Sequence, residues 1–407
     1  MIGGILLAAV TTLSPREFSA LPLSNALQHA VTLSPDVAQA RERVNENAAL
    51  LAAARSGASP ALIANYSNSP QGIGTNQTAQ QSLTTVGAQV VLGDYLAYSP
   101  LVRQAAFTLS AAQYDYINAQ RDERIKVIGE YYTALKAAAT LDLNMQSLQS
   151  VRRDLAAAQL RYRAGDAPRL DVVRSQVAVT GAQAAVDSAR VDLANAEDAL
   201  ATETGMSMQS FRNLRPAAGS SDPPPDADRA VTRALAQRSD LASAQLAVRG
   251  EEAAVRAAQR SIFPAVTLQA GYTSGIDSGQ LVHGPSVNAN LALPISHEAR
   301  DRTNAERARL AQAQYKAAAI ERQIRLDVAA AARTYEQSIS ASQAAARARV
   351  EADQELRATE LGYRSGASSS LDVSVAQRTY QQAALNELSA VYAQVQAAAV
   401  LQEDIGP

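Results

Sequence analysis

Several residue types are missing or scarce in this chain of 407 residues, and each absence removes a class of function. There is no cysteine, which excludes disulfides, thiolate metal sites, cysteine nucleophiles and a lipidated N-terminal cysteine, while leaving the compartment open. There is no tryptophan, and aromatic residues amount to only 4%, so a thick core of large rings is not available. Histidine occurs only as His29, His283 and His297. His297-Glu298 is followed by Asp301, where a zinc-protease helix needs a second histidine. Gly72-Ile73-Gly74 lacks the third glycine of a phosphate cradle. No enzyme is expected, and no metal or cofactor.

A charge excess is missing too. The 37 Lys and Arg against 39 Asp and Glu leave a net charge of −2, spread as solvated helix faces without the basic stripe of a nucleic-acid binder. Long uncharged runs are also lacking. Ile2–Leu13 is apolar but short of the ~20 residues of a spanning helix, and residues 1–20 are read as a possible signal or leader segment. Nothing else is long enough to span as a helix, so membrane insertion would have to use strands.

What is present is a duplication. Leu160–Val173, LRYRAGDAPRLDVV, returns as Leu361–Ser374, LGYRSGASSSLDVS. Tyr162, Gly165 and Asp171 pair with Tyr363, Gly366 and Asp372 at a constant offset. The offset of about 200 residues exceeds the period of short solenoid repeats, so each copy is a whole structural unit: residues 21–214, a proline-rich linker at 215–228, then 229–407. Alanine supplies much of the 47% apolar content. It is the best helix former, and its small side chain favours long helices joined by thin seams. In copy one a helix is expected over Leu23–Ser56, strands over Ala61–Tyr66 and Leu83–Leu92, a long helix from about Leu101 to Arg163, a reversal, and a return helix to Thr204. Copy two repeats the order, with a helix over Asp228–Ser261, strands Ala265–Tyr272 and Ser286–Leu293, a helix from Ala299 to Arg364, a reversal, and a helix to Gln402. Val172, Val179, Val186, Leu193 and Leu200 recur every seven residues, as do Leu141, Leu148, Leu155 and Tyr162. That spacing keeps one seam toward a partner helix, the signature of an antiparallel coiled-coil hairpin.

The strands alternate. Val266 and Leu268 lie on one face and Gln269 on the other; Val287 and Leu291 likewise oppose Asn288 and Asn290. This period of two fits a transmembrane strand with Val266, Leu268, Val287 and Leu291 toward lipid and Gln269, Asn288 and Asn290 toward a pore. It fits a soluble half-buried sheet equally well. Four strands are too few to close without edges, and an open edge cannot face lipid.

The duplicated order of helix, strand pair and long hairpin, with the repeated YRxG…LDV element, resembles the TolC-type outer-membrane efflux proteins. The likeness extends over about Leu21–Leu401, including Pro60 and Pro264 before the strands and Leu291-Ala292-Leu293-Pro294-Ile295 after the second pair. It implies a mainly α fold with four strands per chain, trimerising into an α-helical barrel and a 12-stranded transmembrane β-barrel. It also implies an outer-membrane location extending into the periplasm. The function it implies is a passive exit duct for efflux or type I secretion, with partners in a periplasmic adaptor, an inner-membrane pump and outer-membrane lipid. A periplasmic hairpin adaptor or soluble coiled-coil scaffold is the alternative, but an adaptor needs one hairpin where this chain has two.

By the same resemblance, the reversals at Tyr162, Arg163, Gly165, Asp166 and Asp171, and at Tyr363, Arg364, Gly366 and Asp372, are the periplasmic tips, where the duct is gated and the adaptor engages. Some members place two acids three residues apart after the second reversal; here Asp372 matches the first and Val375 stands at the second. A gating role for Asp372 and an N-terminal capping role for both Asp171 and Asp372 remain open from sequence.

Overall fold

A computed structural model describes residues 23–57, 59–73, 77–206, 226–260, 265–277, 280–292 and 297–406. The expected leader, most of the proline-rich linker, Pro264 and the Leu293-Pro294-Ile295 segment lie outside the described residues. The elements follow in the order α1 (Leu23–Leu33), α2 (Pro35–Ser56), β1 (Ala61–Ile73), β2 (Gln77–Val91), α3 (Leu92–Ala164), α4 (Arg169–Thr204), α5 (Ala227–Gln237), α6 (Ser239–Arg260), β3 (Ala265–Asp277), β4 (Gln280–Ala292), α7 (Glu298–Ser365) and α8 (Ser370–Ile405). They divide into two compact units, one within residues 1–38, 119–237 and 324–407, the other within 39–118 and 238–323.

The first unit is helical. Its core joins Ala26 and Ala30 of α1, Val127, Ile128, Ala134 and Leu135 of α3, Ala196 and Leu200 of α4, and Tyr392 and Val395 of α8. Four alanines lie here among eight larger residues, including Tyr131 and Tyr132, whose rings meet edge-on with centroids 5.6 Å apart. The seven-residue seam of α4 is turned inward: Val186 and Leu200 are buried, and Val172, Val179 and Leu193 are half-buried. Asn144 sits in the α3 seam, where it donates to the Ala185 carbonyl of α4 at 3.4 Å and accepts from Gln381 of α8 at 3.4 Å. A polar group at a seam position fixes the register of its neighbours, since any slip leaves it unpaired.

The single helices expected over Leu23–Ser56 and Asp228–Ser261 are each broken in two. In copy one the cause is Pro35, which has no N–H and starts a new helix at its first position. Ser34 fills the break and its hydroxyl donates to the buried Glu123 carboxylate of α3 at 2.9 Å. Copy two has no proline at this place. Ser239 stands there instead, and Arg238, the counterpart of Ser34, is buried and bidentate to Asp240 at 2.6 and 3.2 Å.

In the second unit four antiparallel strands form one sheet in the order β1-β2-β3-β4. The strands exceed their expected lengths because each hairpin stays paired almost to its turn, out to Ile73 opposite Gln77 and Asp277 opposite Gln280. The polar stretch after Tyr66, read from sequence as a loop, is thus largely strand. Helices of this unit pack closely: Gly250 of α6 lies against Phe107 of α3, and the Tyr98 hydroxyl donates to the Arg55 carbonyl at 2.6 Å.

The expected fold class is corrected on one point. Among the described residues the sheet is open, with β1 paired only to β2 and β4 only to β3, and the single chain forms neither the expected β-barrel nor the helical barrel. Four strands are half the number from which even a small barrel is built. Among the described residues, no helix is long and apolar enough to cross a membrane.

The Ser34–Glu123 bond gives a direct test of the α1–α2 break. Ser34→Ala, which removes the donor to a buried carboxylate, is expected to cost about 1–3 kcal/mol. Thermal melting followed by helical circular dichroism should show the loss, and Ser34→Thr should recover part of it.

Candidate functional site

Two features of the structure gather the residues singled out from sequence. The first is the pair of helix reversals. Both long helices end in the same motif: Gly165 and Gly366 take left-handed backbones with φ of 83° and 81°. In copy one the Gly165 N–H bonds the Tyr162 carbonyl and the Asp166 N–H that of Arg161; in copy two Gly366 bonds Tyr363 and Ala367 bonds Gly362. These paired bonds satisfy the last carbonyls of each helix in a left-handed cap that glycine adopts without strain.

Sequence treats the two reversals as separate, but the structure ties them together. The Arg161 guanidinium lies over the Tyr363 ring, 4.8 Å from its centroid, and Ser370 donates its hydroxyl proton to Asp171 at 2.5 Å. Further from the turns, Gln377 donates to Asp154 at 2.7 Å. Between the reversals is a cleft of about 270 Å³ whose lining includes Asp171, Arg174, Glu360, Tyr363, Arg364 and Ser370. Tyr162, Arg163, Gly165, Asp166, Gly366 and Asp372 are outside that lining and exposed to solvent.

The two equivalent aspartates do different work. Asp372 belongs to a capping box: its carboxylate accepts from the Ser369 N–H at 2.7 Å, while Ser369 Oγ accepts from the Asp372 N–H at 3.3 Å. The backbone and hydroxyl donors of Ser369 hold the Asp372 carboxyl below the usual carboxylate range. The signal was visible in sequence, since Ser369-Ser370-Leu371-Asp372 has the spacing of such a box. Asp171 has no such partner because Pro168 occupies the cap position with no side-chain bond, and it reaches across to Ser370 instead. Arg161 and Ser370 were missed by sequence reasoning. Their partners lie in the other repeat, and nothing local marks them.

The second feature is the two-faced sheet. Strand register places Val86, Ala88 and Val90 opposite Tyr272, Ala270 and Leu268, and then Val266, Leu268 and Ala270 opposite Leu291, Ala289 and Val287. Leu62, Ala64 and Tyr66 of β1 continue that face. Apolar side chains on it are exposed, reaching 92% at Leu62 and 78% at Val287. The other face carries Gln89 beside Gln269 and Asn288, with Thr267 beside Asn290. Hydroxyl and amide bonds run across it, Thr85 to Thr273 at 2.8 Å, Thr273 to Ser286 at 2.8 Å and Gln269 to Gln89 at 3.1 Å. Gly87 and Gly271 face each other at its centre, where a Cβ on either would meet the opposing backbone within 2.5 Å. Among the described residues, no group of His, Asp and Glu is arranged to hold a metal ion.

Residues 26–206 and 230–406, nearly the whole of both repeats, match the family described as outer membrane efflux protein. The chain belongs to that family. Its place is therefore the outer membrane, with extension into the periplasm. The pyoverdine export outer membrane protein OpmQ of Pseudomonas aeruginosa is 25% identical over 315 residues, which cover 72% of this chain and 65% of that protein. The chain thus spans a little under two thirds of this relative. Among solved structures, the Campylobacter jejuni CmeC outer membrane channel superposes with a TM-score of 0.80 at 15% identity, over 94% of this chain and 85% of that one. The Vibrio cholerae outer membrane protein VceC gives 0.79 at 17% identity, over 94% and 96%. At such identities these likenesses establish the shared fold.

The Asp372 cap has a defined pH dependence. Because the folded carboxyl titrates below its ordinary value, the cap stabilises fully above that ordinary value and is lost as pH falls through the depressed one. The protection factors of the Ser369 and Asp372 amides, which correct for the slower intrinsic exchange in acid, should therefore fall on acidification, and Asp372→Asn should abolish the acid-dependent part.

Proposed function

We propose that this efflux-family chain is a passive exit duct, carrying substrate across the outer membrane for an efflux or type I secretion assembly. It works as a homotrimer with a periplasmic adaptor and an inner-membrane pump, which supply selectivity and energy, and it performs no catalytic step. The observation that carries this reading is the exposed apolar face shared by all four strands. Large residues such as Leu62, Val287 and Leu291 are left exposed by the described residues, and family membership makes outer-membrane lipid their natural neighbour. The amide-rich face with Gln269, Asn288 and Asn290 then meets water in the conducting path. Free backbone groups along β1 and β4 also require partners in an apolar medium, which favours assembly with other copies of the chain.

The tied reversals are the periplasmic tip. Tyr162, Arg163, Gly165, Asp166, Arg364, Gly366 and Asp372 offer the exposed groups of a docking end, with the half-buried Tyr363 behind them, and the Arg161–Tyr363 and Asp171–Ser370 contacts hold the two hairpins together there. A tip that opens must part contacts of this kind.

Three measurements test the reading. In mild detergent extracts of outer membranes the native mass should be that of three chains; one or two chains would defeat it. Leu268→Arg and Leu291→Arg place charge against lipid at roughly 2–4 kcal/mol each and should block assembly, whereas Asn288→Arg should be tolerated. Gly366→Val forces a branched side chain into a left-handed backbone, so this variant should reach the membrane as a trimer yet fail to complement efflux.

A further inference from the structure

The helical unit holds a larger cleft that neither the sheet nor the tip explains. It lies between α3 and α8, with Arg349 of α7 beside it, and encloses about 510 Å³, inside the roughly 300–1,000 Å³ of small-molecule pockets. Its walls are apolar stripes: Leu135, Ala139 and Leu143 on α3 and Ala384, Leu388 and Val391 on α8, each set at helical spacing so that one face of each helix turns inward. Alanine creates the space, since Ala139 and Ala384 stand where longer side chains would close the gap between the helices. The lining of α3 runs only from Leu135 to Gln146, about three turns.

Polar groups border this space as well, and their charges do not cancel. Arg349 forms an ion pair with Glu387, which leaves the Asp142 carboxylate as the uncompensated charge of the lining. Gln146 donates to one oxygen of Asp142 at 2.8 Å, and an ionised carboxylate can accept several more bonds. Tyr380 and Tyr392 also line the cleft, and the faces of aromatic rings attract cations.

We propose that this cleft binds a lipophilic organic cation, its apolar body between α3 and α8 and its positive centre beside Asp142. The inference rests on the helical unit alone and holds whether or not the chain conducts substrate. Tetraphenylphosphonium and tetraphenylborate, nearly identical in shape and opposite in charge, are suited to test it. Each is dialysed to equilibrium between the full-length protein in detergent and protein-free micelles of the same detergent. The phosphonium should be retained at one ion per chain with about a threefold preference over the borate, the size of an ion contact to the solvent-exposed Asp142. Asp142→Asn should erase the preference, and Ala384→Leu, which fills the cleft, should weaken both ions. Where circular dichroism shows Ala384→Leu to be misfolded, Ala138→Leu on the half-buried α3 wall replaces it. Equal binding of both ions to the unaltered protein, or phosphonium retention unchanged in both variants, overturns the proposal. So does failure of either ion to bind together with a changed native mass in the filled variant, which would make the cleft a contact between protein chains.

Discussion

Helices can run side by side at short range only where the residues between them are small, and here alanine sets that distance. Ala26, Ala30, Ala134 and Ala196 are buried at the meeting of α1, α3 and α4, and Ala253, Ala254, Ala257 and Ala258 are buried along α6. Each such residue removes little apolar surface from water, so the free energy of burial per turn is small. Length compensates, and α3 and α7 reach 73 and 68 residues. Thin seams also discriminate poorly between registers, because one alanine resembles the next. Polar contacts supply what the seam lacks. Asn144 reaches both α4 and α8, Lys126 meets Glu203 at 2.7 Å, and Arg124 meets Glu403 at 2.9 Å. All three belong to α3, the helix to which the others of this unit are registered.

Duplication built the chain, and the copies differ at residues through which they touch. Arg161 of copy one corresponds to Gly362 of copy two, and the difference is physical. A Cβ at position 362 would approach Ser368 Oγ to 2.5 Å, whereas Arg161 has the matching Ala167 before it and is free to cover the Tyr363 ring. Pro168 and Ser369 differ in the same way, one unable to cap and the other capping fully. The result is an asymmetric joint made from two nearly identical turns.

Much of this arrangement was legible in the sequence. The heptads of Leu141–Tyr162 and Val172–Leu200 report a local period, and the glycines at 165 and 366 report a backbone conformation that few other residues accept. Alternation at Val266–Leu268 and Val287–Leu291 located the two faces of the sheet. Strand length was not legible, since Ser67–Ile73 has loop-like composition and becomes strand by pairing with 77–83. The break at Arg238 was hidden because it rests on an ion pair rather than on a proline. At the candidate site, Asp372 could be assigned from four consecutive residues, while Arg161 and Ser370 required knowledge of which repeat lies against which. The closed barrel came from resemblance, and a single chain holds only an open sheet.

The pairing of β2 with β3 carries one more consequence, for the order in which the chain is made. Every helical hairpin and each outer strand pair joins neighbours in sequence, but β2 and β3 bring together residues such as Thr85 and Thr273, 188 positions apart. Contacts between near neighbours form early, and distant ones wait on the closure of a long loop. As the polypeptide emerges N-terminus first, the β1–β2 hairpin exists before β3 has been synthesised. One edge of β2 is then unpaired, the condition in which strands pair with the wrong chain. Safe delivery of the newborn protein thus depends on something shielding that edge until the second copy arrives.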